Sequence, residues 1–245
     1  MTHCQALWYA AAERIELRDT EVHPLQAGQV VVKAHYSGIS RGTERLVYQG
    51  RIPHSEYQRM RCPYQEGEFP HPVKYGYALT GEITDGPGDM KGQRVFVLHP
   101  HQQLACVEAA HVHVIPDDVP LRRAALTANM ETAVNVLWDA APAPGERILI
   151  IGAGVLGLLI AGLAARTGEN EVTIVDTDPT RAGVAHLLGA TFALPGDAPD
   201  EQNVVIHTSA TEAGLRQALT HAAADGRIVE ASWFGDRKVA LPLGE

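Results

Sequence analysis

The stretch Arg147-Ile-Leu-Ile-Ile-Gly-Ala-Gly-Val-Leu-Gly-Leu-Leu-Ile-Ala-Gly-Leu-Ala-Ala-Arg166 decides how the chain is read. No charge lies between its two arginines, and the run is long enough to raise a membrane span. Its internal order points elsewhere. Ile148 to Ile151 is a short β-branched and Leu run, Gly152, Gly154 and Gly157 follow with G-x-G-x-x-G spacing, and the remainder favours helix. That is strand, tight turn, helix. Gly152 permits the turn, Gly154 lets backbone approach a pyrophosphate, and Gly157 lets helix pack close to strand. The helix start, at Val155 and Leu156, turns unpaired N–H groups and a positive dipole end toward phosphates.

Context strengthens a motif that alone is weak. Glu171-Val-Thr-Ile-Val-Asp176 is a second strand ending in an acid, where a carboxylate accepts from the hydroxyls of an adenosine ribose. The order implies a bound dinucleotide, NAD in preference to NADP because Asp176 repels a 2′-phosphate. Arg181, shortly after, is the residue that could accommodate that phosphate. A glycine-rich α/β turn that binds nothing is the plainer alternative.

Hydrophobic residues make up 45% of the 245 and charged residues 20%, the balance of a globular protein with a real core. A formal charge of −9 argues against a nucleic-acid or anionic-membrane partner. The three cysteines, Cys4, Cys62 and Cys106, are scattered and never form C-x-x-C, so neither a structural zinc nor a disulfide framework is expected. The N-terminus lacks a basic region followed by an apolar core, so a cytoplasmic location is expected.

From Gln5 to about Asp139 the pattern is mainly β, with runs at 30–35, 78–84, 94–98, 104–107 and 111–115 separated by glycine turns. Such spacing suggests a compact barrel or folded sheet. Residues 121–140 change to a helical period, and Ala141-Pro-Ala-Pro-Gly145 is a linker. Beyond it strand and helix alternate: helix from Pro179 to Leu188 capped by Gly189, strand 191–194, polar loop 195–202, strand 203–208, helix 212–223 and strand 227–231. Five strands with intervening helices make an α/β, doubly wound parallel sheet.

Ser37-Gly-Ile-Ser-Arg-Gly-Thr-Glu-Arg-Leu46 with Gln49-Gly-Arg-Ile-Pro53, and Gly76-Tyr-Ala-Leu-Thr-Gly-Glu-Ile83, resemble two segments of the medium-chain dehydrogenase/reductase superfamily. They are the segments where its zinc alcohol dehydrogenases carry the first metal-ligand cysteine and a Gly-His-Glu. The first is closest to the branch that includes bacteriochlorophyllide hydroxyethyl dehydrogenases. The resemblance implies a β-rich, GroES-like catalytic domain over 1–140 and a Rossmann dinucleotide-binding domain over 141–245. It also implies hydride transfer between nicotinamide and an alcohol or carbonyl substrate, which the pigment branch makes a bulky secondary alcohol. In the superfamily a sixth strand follows the fifth, whereas this chain stops at Leu241-Pro-Leu-Gly-Glu245; a homodimer is expected where that C-terminal part is present.

Zinc ligands are thiolate, imidazole or carboxylate. The corresponding positions hold Ser40, Tyr77 and Ala78, and the third falls near Ala128, so no catalytic zinc is expected. The twelve histidines include His99-Pro-His101 and His111-Val-His113, chelating pairs if on strands but more simply half-exposed strand faces. Without a Lewis acid, a carbonyl oxygen receiving a hydride needs hydroxyl donors and a proton source. Thr43 matches the family's relay hydroxyl, and Tyr77 stands where a ligand histidine would. Arg41 matches a residue that reaches the pyrophosphate. Glu131 could orient a donor. Thr208 and Ser209, ending the fourth strand, flank the nicotinamide. A quinone- or enoyl-reductase-like enzyme, or a dinucleotide-binding protein without catalysis, is the alternative.

Overall fold

The computed structural model describes residues 2–241. They form two compact units, one up to residue 128 and one from 129.

In the first unit, β1 (Thr2–Ala11) and β2 (Arg14–Val22) make a long antiparallel hairpin turned at Glu13, whose φ is 59°. Then come β3 (Gln29–Ser37), α1 (Thr43–Gln49), the two-residue strands β4 (Glu66–Gly67) and β5 (Val73–Lys74), β6 (Leu79–Asp85), β7 (Arg94–Val97), β8 (Leu104–Glu108) and β9 (Val112–Val114). Two sheets result, ordered β2-β1-β5-β4 and β8-β3-β6-β7-β9. The folded-sheet expectation is met, and the physical reason is alternation. Val30 and Val32, Val95 and Val97, and Ala105 and Val107 each sit two apart on one strand face, and all are sealed in one core with Leu79 and Ile83.

Two details differ from the sequence reading. Thr43–Gln49, for which the sequence reading names no element, is a helix, stopped by Gly50 in the left-handed region at φ 65°. The stretch 121–140 is two helices, α2 (Leu121–Ala124) and α3 (Thr127–Ala140). Between them the Thr127 hydroxyl donates to the Ala124 carbonyl at 2.6 Å, a side-chain bond that competes with the helical ladder.

The second unit runs β10 (Arg147–Ile151), α4 (Val155–Ala164), β11 (Glu171–Val175), α5 (Ala182–Leu187), β12 (Thr191–Ala193), β13 (Gln202–His207), α6 (Glu212–His221) and β14 (Ala222–Glu230). All five strands are parallel, in the order β12-β11-β10-β13-β14. Ile148, Ile150, Ile174 and Ile206 pack on one face with Ile160 and Ala164 of α4 and Ala185 of α5. Leu149, Ile151, Val175 and Val205 pack on the other with Ala218 of α6. Burial on both faces explains why these strands read as unbroken apolar runs. The last helix runs straight into β14 at Ala222, so that strand begins earlier than its apolar core, Arg227 to Ala231, suggested. Among the described residues no helix is long and apolar enough to cross a membrane; the uncharged stretch is divided between β10, a turn and α4.

Candidate active site

The three glycines of the turn do different work. A Cβ on Gly157 would lie 1.9 Å from the Gly152 carbonyl oxygen, so α4 can approach the turn only without one. Gly152 has φ +111°, and a Cβ there would come within 2.9 Å of both the Thr208 hydroxyl and the Ser209 amide. Gly154 is exposed, and a Cβ there would meet nothing within 4 Å. That open side lies at the N-terminus of α4, where the Val155 and Leu156 amides belong to the first turn and lack helical acceptors. A phosphate fits such a cradle.

Asp176, the residue after β11, is half-buried beside this turn. Its Oδ2 accepts from the Ala153 amide at 2.7 Å and its Oδ1 from the Asp178 amide at 2.9 Å. Each oxygen keeps acceptor capacity for a ribose hydroxyl. Arg181 Nε pairs with Asp178 Oδ2 at 3.1 Å. The carboxyl of Asp178 is held below its usual range, chiefly by the Thr180 hydroxyl and amide.

At the carboxyl ends of the strands, the Thr208 hydroxyl is directed inward, with the Gly152 and Ile151 carbonyl oxygens 2.8 and 3.1 Å away. Ser209 Oγ meets Nε2 of His207 at 2.6 Å. The fully buried His207 ring meets Glu230 Oε2 through Nδ1 at 2.7 Å. His207 and Glu230 were not singled out in the sequence; each reads there as one polar residue closing an apolar strand.

In the first unit, Thr43 opens α1 and Tyr77 follows β5. The Ser40 and Thr43 hydroxyls near the Tyr77 phenol pull its pKa down, but burial prevails and holds it above the ordinary value. It is therefore a protonated donor at neutral pH. Directly beneath, the buried carboxylate of Glu44 accepts from the Tyr9 hydroxyl (2.6 Å), the Ser40 amide (2.8 Å) and His101 Nε2 (2.6 Å). His101 Nδ1 bonds the Ser37 hydroxyl. Gly76, at φ +144°, makes room for this ring, since a Cβ there would lie 2.8 Å from Nε2. Burial, then the Glu44 charge, keeps the Tyr9 phenol far above its usual range. Tyr75 is tied to the Met60 carbonyl at 3.0 Å and meets Tyr77 edge-on.

The first histidine pair lies other than expected, while His113 is exposed on β9 as expected. His99 and His101 are not on a half-exposed strand but buried in the segment between β7 and β8. His99 Nδ1 reaches the Pro100 carbonyl at 2.8 Å and its ring stacks on Tyr64; burial presses its pKa down to about 4. His111 Nδ1 meets the Tyr64 hydroxyl at 2.7 Å, and His113 lies against Phe96. None chelates with its sequence neighbour.

A zinc ion does not fit the donor set at the resemblance's ligand positions, where Ser40, Tyr77, Ala78 and Ala128 offer no thiolate, imidazole or carboxylate. Among the described residues no three His, Cys, Asp or Glu side chains gather as a metal set. The nearby Cys62 thiol is pushed up to about 11 by burial, far from a thiolate. Arg41 is exposed in the turn before α1, and Glu131 bonds Asn135 along α3.

No family model matches the chain. L-Threonine 3-dehydrogenase from Rhizobium rhizogenes is 36% identical over 87 residues, which is 36% of this chain and 25% of that protein. The chain thus spans about a quarter of the length of that curated relative in the matching region. A dehydrogenase from Sinorhizobium meliloti 1021, described as zinc-binding and solved bound to NADP, superposes with a TM-score of 0.81 at 18% identity, over 99% of this chain and 80% of the other. The alcohol dehydrogenase rspB from Escherichia coli CFT073, solved with NADH, gives 0.79 at 19%, over 98% and 79%. The chain therefore has the alcohol dehydrogenase-like α/β fold, a β-rich unit and a parallel sheet with helices on both faces.

Proposed function

We propose that the protein is a nicotinamide-dependent oxidoreductase, built as a GroES-like β-rich domain and a Rossmann domain, that interconverts an alcohol and a carbonyl without zinc. One observation carries the reading: the open glycine cradle at α4, latched to the Asp176 carboxylate through the Ala153 amide. Gly154, Val155 and Leu156 would hold the pyrophosphate, and Asp176 the adenosine ribose. When bound, the dinucleotide supplies or accepts the hydride. Asp176 favours NAD by accepting from both ribose hydroxyls and repelling a 2′-phosphate. Tyr77, protonated by burial, and the nearby Thr43 supply the donors that meet a developing alkoxide. The similar proteins solved with NADH and NADP support a nicotinamide cofactor.

Titration with NADH and NADPH, followed by a panel of secondary alcohols, ketones and quinones, tests the reading. Tight NADH binding with turnover of an alcohol or ketone supports it. Binding without turnover of any class favours a non-catalytic dinucleotide-binding protein. Elemental analysis finding about one zinc per chain, with activity lost to chelators, overturns the zinc-free part.

A further inference from the structure

We propose that Glu230 and His207 are positioning residues that fix the Ser209 hydroxyl as a hydrogen-bond acceptor for a donor group on the nicotinamide half of the dinucleotide. The inference rests on the dinucleotide reading above and names a further part of the same site.

It follows from counting protons. An ionised carboxylate only accepts, so Glu230 Oε2, 2.7 Å from Nδ1, places the imidazole hydrogen on Nδ1, while the Ser232 hydroxyl, 3.3 Å from the same nitrogen, donates to the His207 carbonyl at 3.2 Å. In the neutral ring Nε2 is then a lone pair, and the Ser209 hydroxyl 2.6 Å away must donate to it. Thr211 Oγ1 accepts from the Gly214 amide at 3.1 Å, which leaves its own hydrogen for Ser209 Oγ at 2.9 Å. The serine hydrogen is thus committed inward, and what Ser209 has left is acceptor capacity. A lone serine hydroxyl would rotate and serve either role.

The arrangement is tightly packed and lies at the edge of the proposed site. His207 is fully buried, and a Cβ on Gly214 would lie 2.4 Å from Ser209 Oγ and 2.8 Å from His207 Nε2. The first turn of α6 is therefore pressed onto the Ser209–His207 bond. Ser209 itself sits against the glycine turn, its amide and Cα 2.9 and 3.0 Å from where a Gly152 Cβ would be. That is the carboxyl edge of the parallel sheet, where ligands of such sheets lie. On the outer side, Ser232 Oγ accepts from the Ala210 amide at 3.0 Å, and the Ser232 amide donates to Glu230 Oε1 at 2.6 Å. The second carboxylate oxygen thereby pins the turn that follows β14.

Glutamine in place of Glu230 keeps the shape but can present its amide N–H to Nδ1. That moves the ring hydrogen to Nε2 and rotates the Ser209 hydrogen outward, turning the acceptor into a donor.

The test is a double-mutant cycle read as NADH affinity by fluorescence, with thermal unfolding recorded for each variant of the full chain. Ser209→Ala should weaken NADH binding about tenfold, the scale of one buried hydrogen bond. Glu230→Gln should weaken it several-fold, and the double variant should be no weaker than Ser209→Ala. If Glu230→Gln costs the same with and without Ser209, its role is only to hold the fold and the inference is overturned. Should Ser209→Ala fail to fold, Ser209→Cys carries the same expectation, since a thiol donates to His207 but accepts poorly. Repeating the cycle with ADP-ribose locates the donor: a loss confined to NADH assigns it to the carboxamide, and an equal loss assigns it to a ribose hydroxyl. A wild type that binds neither NADH nor NADPH overturns the dinucleotide reading itself. Wild-type binding that survives Ser209→Ala overturns only the assignment made here.

Discussion

Glu44 and His101 meet at 2.6 Å with both side chains closed to solvent, although 57 positions separate them in the chain. The pair ties the first helix to the segment between β7 and β8, and Tyr9 joins it from β1. It lies under Ser40, whose amide donates to Glu44 and whose hydroxyl helps lower the Tyr77 pKa against the rise that burial causes. A carboxylate with three donors in a dry interior is stable only as a complete set.

His101→Ala should therefore be among the most damaging single changes in the first unit, costing about 3–5 kcal/mol because it strands a buried carboxylate. Glu44→Leu with His101→Leu together should cost clearly less than the sum of the two singles. Urea denaturation of the four variants measures this; additive losses would show that the two residues act independently.

His99 gives the first unit a dependence on acid. Its folded pKa is lowered to about 4 from 6.5, so between these values the unfolded chain binds a proton that the folded chain refuses. The contribution is fully present above about pH 6.5 and is lost as pH falls toward 4, on the order of 3 kcal/mol at most. Subtracting the pH profile of a His99→Asn variant from that of the wild type should isolate this slope. Parallel profiles would assign the acid sensitivity elsewhere.

Thr43→Val and Tyr77→Phe keep shape and delete a hydroxyl. At least one should lower kcat tenfold or more, within the range of a general acid, while NADH affinity stays nearly constant. Because burial raises the Tyr77 pKa, ketone reduction should show no loss from this phenol up to its ordinary value of 10.0. Wild-type kcat in both variants would remove the two hydroxyls from the mechanism.

Asp176→Ser should shift the ratio of NAD to NADP affinity toward NADP by about ten- to a hundredfold, as a like-charge repulsion of roughly 1–3 kcal/mol is removed. Arg181, currently held by Asp178, is the cation available to a 2′-phosphate. Equal or tighter binding of NADP by the wild type would contradict the assignment of Asp176.

The second unit was the more legible because its signals are local. Gly152, Gly154, Gly157 and Asp176 lie in two adjacent strand–turn segments, and the isoleucine runs announce strands buried on both faces. The site in the first unit is assembled from distant pieces. Nothing near His101 in sequence points to Glu44, and a histidine two residues from another looks like a chelating or exposed pair until the partners are known. The helix at Thr43 was obscured by the Arg41-Gly42 turn before it, whose cap offers no side-chain hydrogen bond to signal a start. His207 escaped for a third reason: its meaning lies in Glu230 on the neighbouring strand, and pairing between parallel strands leaves no trace in spacing.

The latch between Asp176 and the Ala153 amide constrains how this protein could diversify. The carboxylate proposed to select the cofactor also holds the glycine loop that would carry it. A lineage drifting toward another cofactor cannot discard that side chain freely, because the loop loosens in the same step. Only replacements that still accept a backbone N–H, such as Ser or Asn, leave a passable route. Ala or Gly at position 176 would be a dead end until some other residue took over the loop.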